Sequence, residues 1–296
     1  MDQFPYQERE ATATLGPRVS AIVVARNVRT HASGQSALDL CLRSALAEPW
    51  IDDLVVVDHN CPATLASALR AMQADRRDVK LVVAAPELSG AAAANLGAAQ
   101  ARGRWFLFLD PHVVLQRGAV ERMAAAGGGA HTPWIVGGRL TDIDGRERRA
   151  ARSGALNAWS TIAIALNWPG PRRKRLRADE PARVAAVSGA FMLVPRHDFQ
   201  TLGGFDAGFV SDGADLDLCR RAVAAGGSIL FQPAAAGVQF EHAALRGRRQ
   251  AQGLALFAAK SARTPIERAF AMIARPALMV LLGLKGFVAG RPPLSR

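Results

Sequence analysis

Four apolar runs alternate with helical patterns between Val19 and Asp110, and no other feature narrows the fold as much. VSAIVVARN (Val19 to Asn27), DLVVVDHN (Asp53 to Asn60), VKLVVAAP and WFLFLD read as strands buried on both faces. Between them, ALDLCLRSALAE (Ala37 to Glu48) and TLASALRAMQAD show helical spacing, and SGAAAANLGAAQARG is small and helix-prone. This alternation implies βαβ units and a mostly parallel sheet with helices on both faces. In such sheets ligands sit beyond the carboxyl ends of the strands. Asn27, Asp58 and Asp110 all fall at those ends, so three polar side chains are expected to meet in one crevice. Any one of them alone would as readily cap a helix or a turn.

After Leu115 the pattern loosens. GGGAHTPWIVGGRLTDIDGRERRA reads as a loop and a hairpin turning at IDGR, and residues 151–183 read as basic loop. AAVSGAFMLVPR is a strand pair or a strand entering a helix. A loop then leads into a helix that begins near Asp215 and ends at Gly226–Gly227, and SILFQPAAAGVQFEH is strand-like around a proline. From Pro265 to Gly290 the chain is helical and apolar, interrupted by Arg275, Pro276 and Lys285. Its longest uncharged run falls short of the ~20 residues that span a bilayer. It fits either a membrane-interface helix or a helical hairpin packed on the domain. The expected organisation is a tail over 1–17, one α/β domain over 18–245 and a basic, apolar helical extension over 246–296.

Half of the 296 residues are hydrophobic, enough for a large core, which argues against disorder of the whole chain. The three cysteines form no pair with metal-site spacing, which argues against a disulfide framework or a cysteine zinc site. The start, MDQFPYQERE, lacks a signal-peptide pattern, so a cytoplasmic protein is expected, peripheral at the inner face of the plasma membrane if the extension meets lipid. A net charge of +12, concentrated in PRRKRLR and LRGRR, calls for a polyanionic partner: nucleic acid, an anionic membrane or a phosphate-bearing substrate. Nucleic acid is disfavoured because the basic clusters contain no aromatic stacking platform. A nucleotidyltransferase is disfavoured because ARNVRTHASG is a poor phosphate loop.

Six segments in order resemble the family-2 glycosyltransferases of GT-A fold, which move a sugar from a nucleotide-diphosphate donor with inversion. They are VSAIVVARN, CLRSAL, LVVVDHNCPA, AANLGAAQARGRWFLFLDPHVVL, VSGAFMLVPRHDFQTLGGFDAGFVSDGADLDLCRRAVAAGG and QFEHAAL, together spanning Val19 to His242. The resemblance is closest to the bacterial rhamnosyltransferase-like branch that acts on cell-surface polysaccharides. It implies a nucleotide-sugar donor and a hydroxyl on a glycan or lipid-linked acceptor. By resemblance, Ala25, Arg26 and Asn27 border the donor nucleotide, Asp58 accepts a hydrogen bond from the base, and Asn95 and Asp110 lie on the donor side. Asp110, His112 and His242 would hold a divalent cation, Mn²⁺ or Mg²⁺. Asp215 would be the general base, with Asp212 and Asp217 on the acceptor side.

The chain also departs from that pattern. His112 stands where the family has a second acid. Neutral imidazole is a legitimate ligand and would tilt the site toward Mn²⁺; two other readings are a direct bond from His112 to the diphosphate and a merely solvent-facing residue. Ala214 replaces a glutamate beside Asp215, and Asp215 itself is also placed to cap the following helix. Ala94 stands where relatives carry an arginine, so the positive charge for the diphosphate would come from Arg26, Arg102 or Arg104. Trp159 and Trp168 read as core or as an acceptor wall, and Arg172–Arg177 as a solvated loop or a lipid contact. The departures at His112 and Ala214 keep a second reading open: a non-catalytic relative that binds a nucleotide sugar.

Overall fold

The computed structural model describes residues 18–26, 36–148, 151–153, 157–162, 177, 180–210, 212–240 and 248–289. Asn27, His242, Trp168 and the basic stretch before Arg177 lie outside the described residues.

The first four runs form strands β1 (Val19–Arg26), β2 (Ile51–His59), β3 (Val79–Val83) and β4 (Trp105–Leu109), joined through helices α1 (Ala37–Leu46), α2 (Ala63–Asp75) and α3 (Gly90–Gln100). β1 pairs in parallel with both β2 and β4, and β2 with β3. β1 is the buried spine because its side chains are covered on alternate sides nearly throughout; that requires cover on both faces of the sheet. α3 lies flush on one of them: a Cβ on Gly97 would come within 2.8 Å of Ile22 and Val57. Helix starts follow the sequence chemistry, with Ser36 and Ser89 each accepting an N–H of the first turn, from Asp39 and Ala92, at 3.1 Å.

The sheet continues through β5 (Val113–Leu115), β6 (Trp134–Thr141), β8 (Ala182–Arg183), β10 (Phe191–Pro195) and β11 (Ser228–Gln239), while β7 (Arg152–Ser153) and β9 (Ala186–Val187) form a separate ribbon. The order is β3-β2-β1-β4-β10-β6-β11-β5, with β8 on β11. β3, β2, β1, β4, β6 and β11 run one way; β10, β5 and β8 run against them. β11 slips in register between Gln232 and Ala236, which accommodates Pro233 inside a sheet. At IDGR the chain turns back, with Asp142 accepting the Arg146 N–H at 2.8 Å. The helices of this half are α4 (Ala119–Gly128), α5 (Arg196–Thr201), α6 (Ala214–Ala224), α7 (Arg248–Ser261) and α8 (Pro265–Ala289).

Phe106 and Phe108 of β4 pack against Phe199 and Phe205 with ring centroids 4.7 to 5.7 Å apart, chiefly edge to face. This cluster fixes the loop after α5 against the strand that ends at Asp110. Helices α7 and α8 form an antiparallel hairpin with its own small core of Ala251, Leu254, Ala255, Ala258, Ala274 and Leu278. α8 runs through Pro276, which the sequence pattern marks as an interruption. Trp159 is 44% exposed and stacks on Phe270 of α8 at 4.4 Å, so it belongs to this hairpin's packing.

Candidate functional site

Parallel pairing in register brings the ends of β1, β2 and β4 to one edge of the sheet. Ala25 stands opposite Asp58, and Val23 opposite Leu109, the residue before Asp110. β10 runs antiparallel to β4 with Phe191 opposite Leu109, so the three residues before it, Ser188 to Ala190, lie at the same edge. Asp110 donates its N–H to the Ala190 carbonyl at 2.9 Å. One residue away, the Gly189 N–H donates to Oδ2 of Asp215 at 2.9 Å. The two-residue segment Gly189–Ala190, through the Gly189 N–H and the Ala190 carbonyl, therefore ties the two acidic residues together, and it does so across 105 sequence positions that carry no local signal of the contact. A Cβ on Gly189 would sit 3.2 Å from the Asp215 Cβ, which explains the glycine. The sequence reading did not single out Gly189; its only mark is a small-residue run, Ser188 to Ala190, ahead of a buried strand.

Asp215 is the second residue of α6, not its cap. Gly213 takes the cap position with φ 102°, a backbone that favours glycine, and its side is closed by Phe209. Asp215 Oδ1 accepts the Leu216 N–H at 2.9 Å. Burial raises its pKa above the ordinary carboxylate value, opposed by the Gly189 and Leu216 N–H groups. A half-buried carboxylate with a raised pKa, held by two backbone donors, has the properties of a general base.

At the end of β2, Asp58 is buried and accepts the Cys61 N–H at 3.0 Å, while the Cys61 thiol lies 3.2 Å from the Ala25 carbonyl. Burial and then Asp58 push that thiol up to about 12, so it stays protonated and is no nucleophile. His59 is fully buried, 3.4 Å from the Pro86 carbonyl. Burial first, and the Arg26 charge second, lower its pKa and keep it neutral. Arg26 reaches the Val210 carbonyl at 3.5 Å, drawing the loop before α6 toward the end of β1.

Arg102 and Arg104, offered above as alternatives for the diphosphate, are excluded. They stand before β4, at the opposite edge. Arg102 forks onto buried Asp53 at 2.8 and 3.0 Å, and Arg104 lies 4.8 Å over Trp105. Of the three arginines only Arg26 is at the site edge.

Asn95 and Asp217 are brought close by but are spent on scaffolding. Asn95 donates to the Phe205 carbonyl at 2.6 Å and accepts the Phe205 N–H at 2.9 Å. Asp217 is buried and takes Arg220 at 2.8 Å and Arg221 at 2.7 Å. Arg221 in turn donates to the carbonyls of Leu202 and, at 2.7 Å, Gly204. Both residues thus hold the segment 202–205 that leads to the site. Asp212 is exposed, two residues ahead of α6.

His112 lies next to Asp110, whose Oδ1 accepts the His112 N–H at 2.9 Å and faces Nδ1 at 3.3 Å. Its carbonyl accepts the N–H of Phe240, the last described residue before the segment that contains His242. Among the described residues no group of three His, Cys, Asp or Glu side chains forms a metal site. A carboxylate oxygen and an imidazole side by side nevertheless fit a divalent cation that takes its other ligands from phosphate and water.

The profile of the family described as "Glycosyltransferase like family 2" matches residues 17–264. No curated protein sequence matches significantly. Among solved structures, GalNAc-T7 with UDP, GalNAc and Mn²⁺ superposes with a TM-score of 0.61 at 18% identity, covering 77% of this chain and 44% of that one. The Pyrobaculum calidifontis mannosyltransferase PcManGT in complex with GDP-Man and Mn²⁺ gives 0.56 at 20%, covering 95% and 78%. S. aureus TarS 1-349 in complex with UDP-GlcNAc gives 0.56 at 11%, covering 93% and 76%. The chain thus spans less than half the length of the first of these. The fold expected from the sequence, GT-A, is the fold observed.

Proposed function

Since this chain belongs to the glycosyltransferase-like family 2, we propose that it moves a sugar, with inversion, from a nucleotide-diphosphate donor to a hydroxyl of a glycan or lipid-linked acceptor. One observation carries the reading. The Gly189 N–H holds the Asp215 carboxylate and the Ala190 carbonyl holds the Asp110 backbone, so a donor-side acid and a base of raised pKa share one edge. The three solved structures bound to nucleotides, nucleotide sugars or Mn²⁺ support the donor class.

In this reading the nucleotide lies along Ala25, Arg26, Asn27 and Asp58, with the Asp58 carboxylate accepting from the base and Arg26 facing phosphate. Asp110, His112 and His242, two residues past Phe240, would hold the divalent cation, which when bound offsets charge on the departing diphosphate. Asp215 takes the proton of the acceptor hydroxyl as its oxygen bonds to the anomeric carbon. The bond from that carbon to the phosphate oxygen breaks on the far side, releasing the nucleoside diphosphate. Asp212 faces the acceptor; Asn95 and Asp217 position the loop that carries it.

A second reading keeps the donor site without the reaction: Ala214 is buried and apolar where the resemblance calls for an acid. Asp215→Asn separates the two. We expect the variant to retain the melting-temperature rise produced by its nucleotide sugar and to lose transfer by about 10²–10⁴-fold, the range for a general base. Wild-type protein that binds donor tightly but never releases nucleoside diphosphate establishes the second reading, and full turnover by Asp215→Asn removes Asp215 from the mechanism.

A further inference from the structure

Helix α8 has two apolar faces, and the fold uses one. Phe270, Ala271, Ala274 and Leu278 turn inward onto α7 and the Trp159 segment. On the adjoining, outward side, Ile266, Ala269, Ile273, Ala277 and Val280 recur at helical spacing and are all exposed, with Met272 beside them. Ile266, Met272, Ile273 and Val280 are 62 to 77% exposed. The stripe runs for about 20 Å at ~1.5 Å per residue. Isolated surface leucines or valines are ordinary, but a continuous stripe marks an interaction surface.

Charge decides what covers it. Residues 248–289 contain seven lysines and arginines and one acid, Glu267. That acid is turned back onto the start of its own helix, where it accepts the Arg263 and Thr264 N–H groups at 2.7 and 3.0 Å. Arg263 and Arg268 are exposed at the start of the helix, Arg268 one turn from Met272. A second copy docked through the same face would bring two such cationic helices together and repel. An anionic lipid surface would instead take the apolar side chains into its acyl boundary and the cations at its headgroups. None of the helices is long and apolar enough, over the described residues, to cross a membrane. We propose that α8 lies in the plane of an anionic bilayer and docks the protein on it through Ile266, Met272, Ile273 and Val280.

The docked hairpin touches the loop that leads into α6 and Asp215. A Cβ on Gly253 of α7 would run into the Asp212 carbonyl, Leu256 lies 3.7 Å from the Cβ position of Gly208, and Lys260 pairs with Asp206. Docking therefore holds the face around Asp212 at a fixed relation to the lipid surface. The surface itself does not depend on the transferase reading, because none of its side chains is in the proposed reaction.

The test is co-sedimentation of the full chain with phosphatidylcholine vesicles and with vesicles containing about one third phosphatidylglycerol. We expect binding to the anionic vesicles that weakens as salt is raised. Ile273→Glu combined with Val280→Glu is expected to weaken it about ten-fold or more, with the melting temperature unchanged because both side chains already face solvent. Arg268→Glu is expected to weaken binding to anionic vesicles specifically. Two results overturn the proposal: equal vesicle binding by wild type and the double variant, or a wild-type dimer without vesicle binding that the double substitution dissociates.

Discussion

Asp217→Asn distinguishes a residue that holds the site from one that touches the acceptor. The Asp217 side chain is 2% exposed and receives one bond from Arg220 and one from Arg221, at 2.8 and 2.7 Å. Removing one partner of a fully buried ion pair costs about 3–5 kcal/mol, because the other charge is left uncompensated. Here the arginine side chains keep about a quarter of their surface in water, at 23 and 24% exposure. That places the loss at the lower end, about 3 kcal/mol. For a chain of this size about 3 kcal/mol corresponds to a drop of roughly 5 °C in melting temperature. The neutral amide also frees Arg221 to leave the Leu202 and Gly204 carbonyls, loosening the approach to Phe205. Urea and thermal melts of the variant measure the stability change; turnover at a temperature well below the melt measures the rest. Unchanged midpoints together with abolished transfer would refute this reasoning and place Asp217 in contact with the acceptor.

The pH dependence of transfer follows from Asp215. Its folded pKa is raised by burial, so kcat/KM is expected to rise with pH through a carboxylate limb above the ordinary aspartate value, and Asp215→Asn should abolish that limb along with turnover. The stability effect has the opposite sign: a raised folded pKa favours the protonated form. The contribution is therefore complete below the unfolded value, ~3.9, and is lost as pH rises through the higher folded value. Melts across that window check it by comparison with Asp215→Asn, which should flatten the dependence. Gly253→Ala is expected to push α7 off the Asp212 backbone, costing about 1–3 kcal/mol as overpacking does and lowering kcat while donor binding persists; an unaltered melt and kcat would show that the α7 contact is immaterial to the loop.

The amino-acid pattern settled the first half of the fold because each element there declares itself locally. Strands β1 to β4 are unbroken apolar runs between helical patterns, so parallel pairing, and with it the shared edge of Ala25, Asp58 and Asp110, follows from connectivity alone. Helix α6 was legible too, from its periodicity and the glycines after it. What the pattern left open was every contact made at long range. Asp53 captures Arg102 because β1, β2 and the start of β4 meet at the far edge, which removes that arginine from any phosphate. Asn95 and Asp217 look like site residues in one dimension, and only tertiary packing gives their polar atoms to Phe205, Arg220 and Arg221. Asp110 and Asp215 became neighbours through an antiparallel strand inserted beside β4, a pairing that the local sequence of neither acid encodes. Periodicity reports the face a residue occupies; the partner across that face is chosen by the folded chain as a whole.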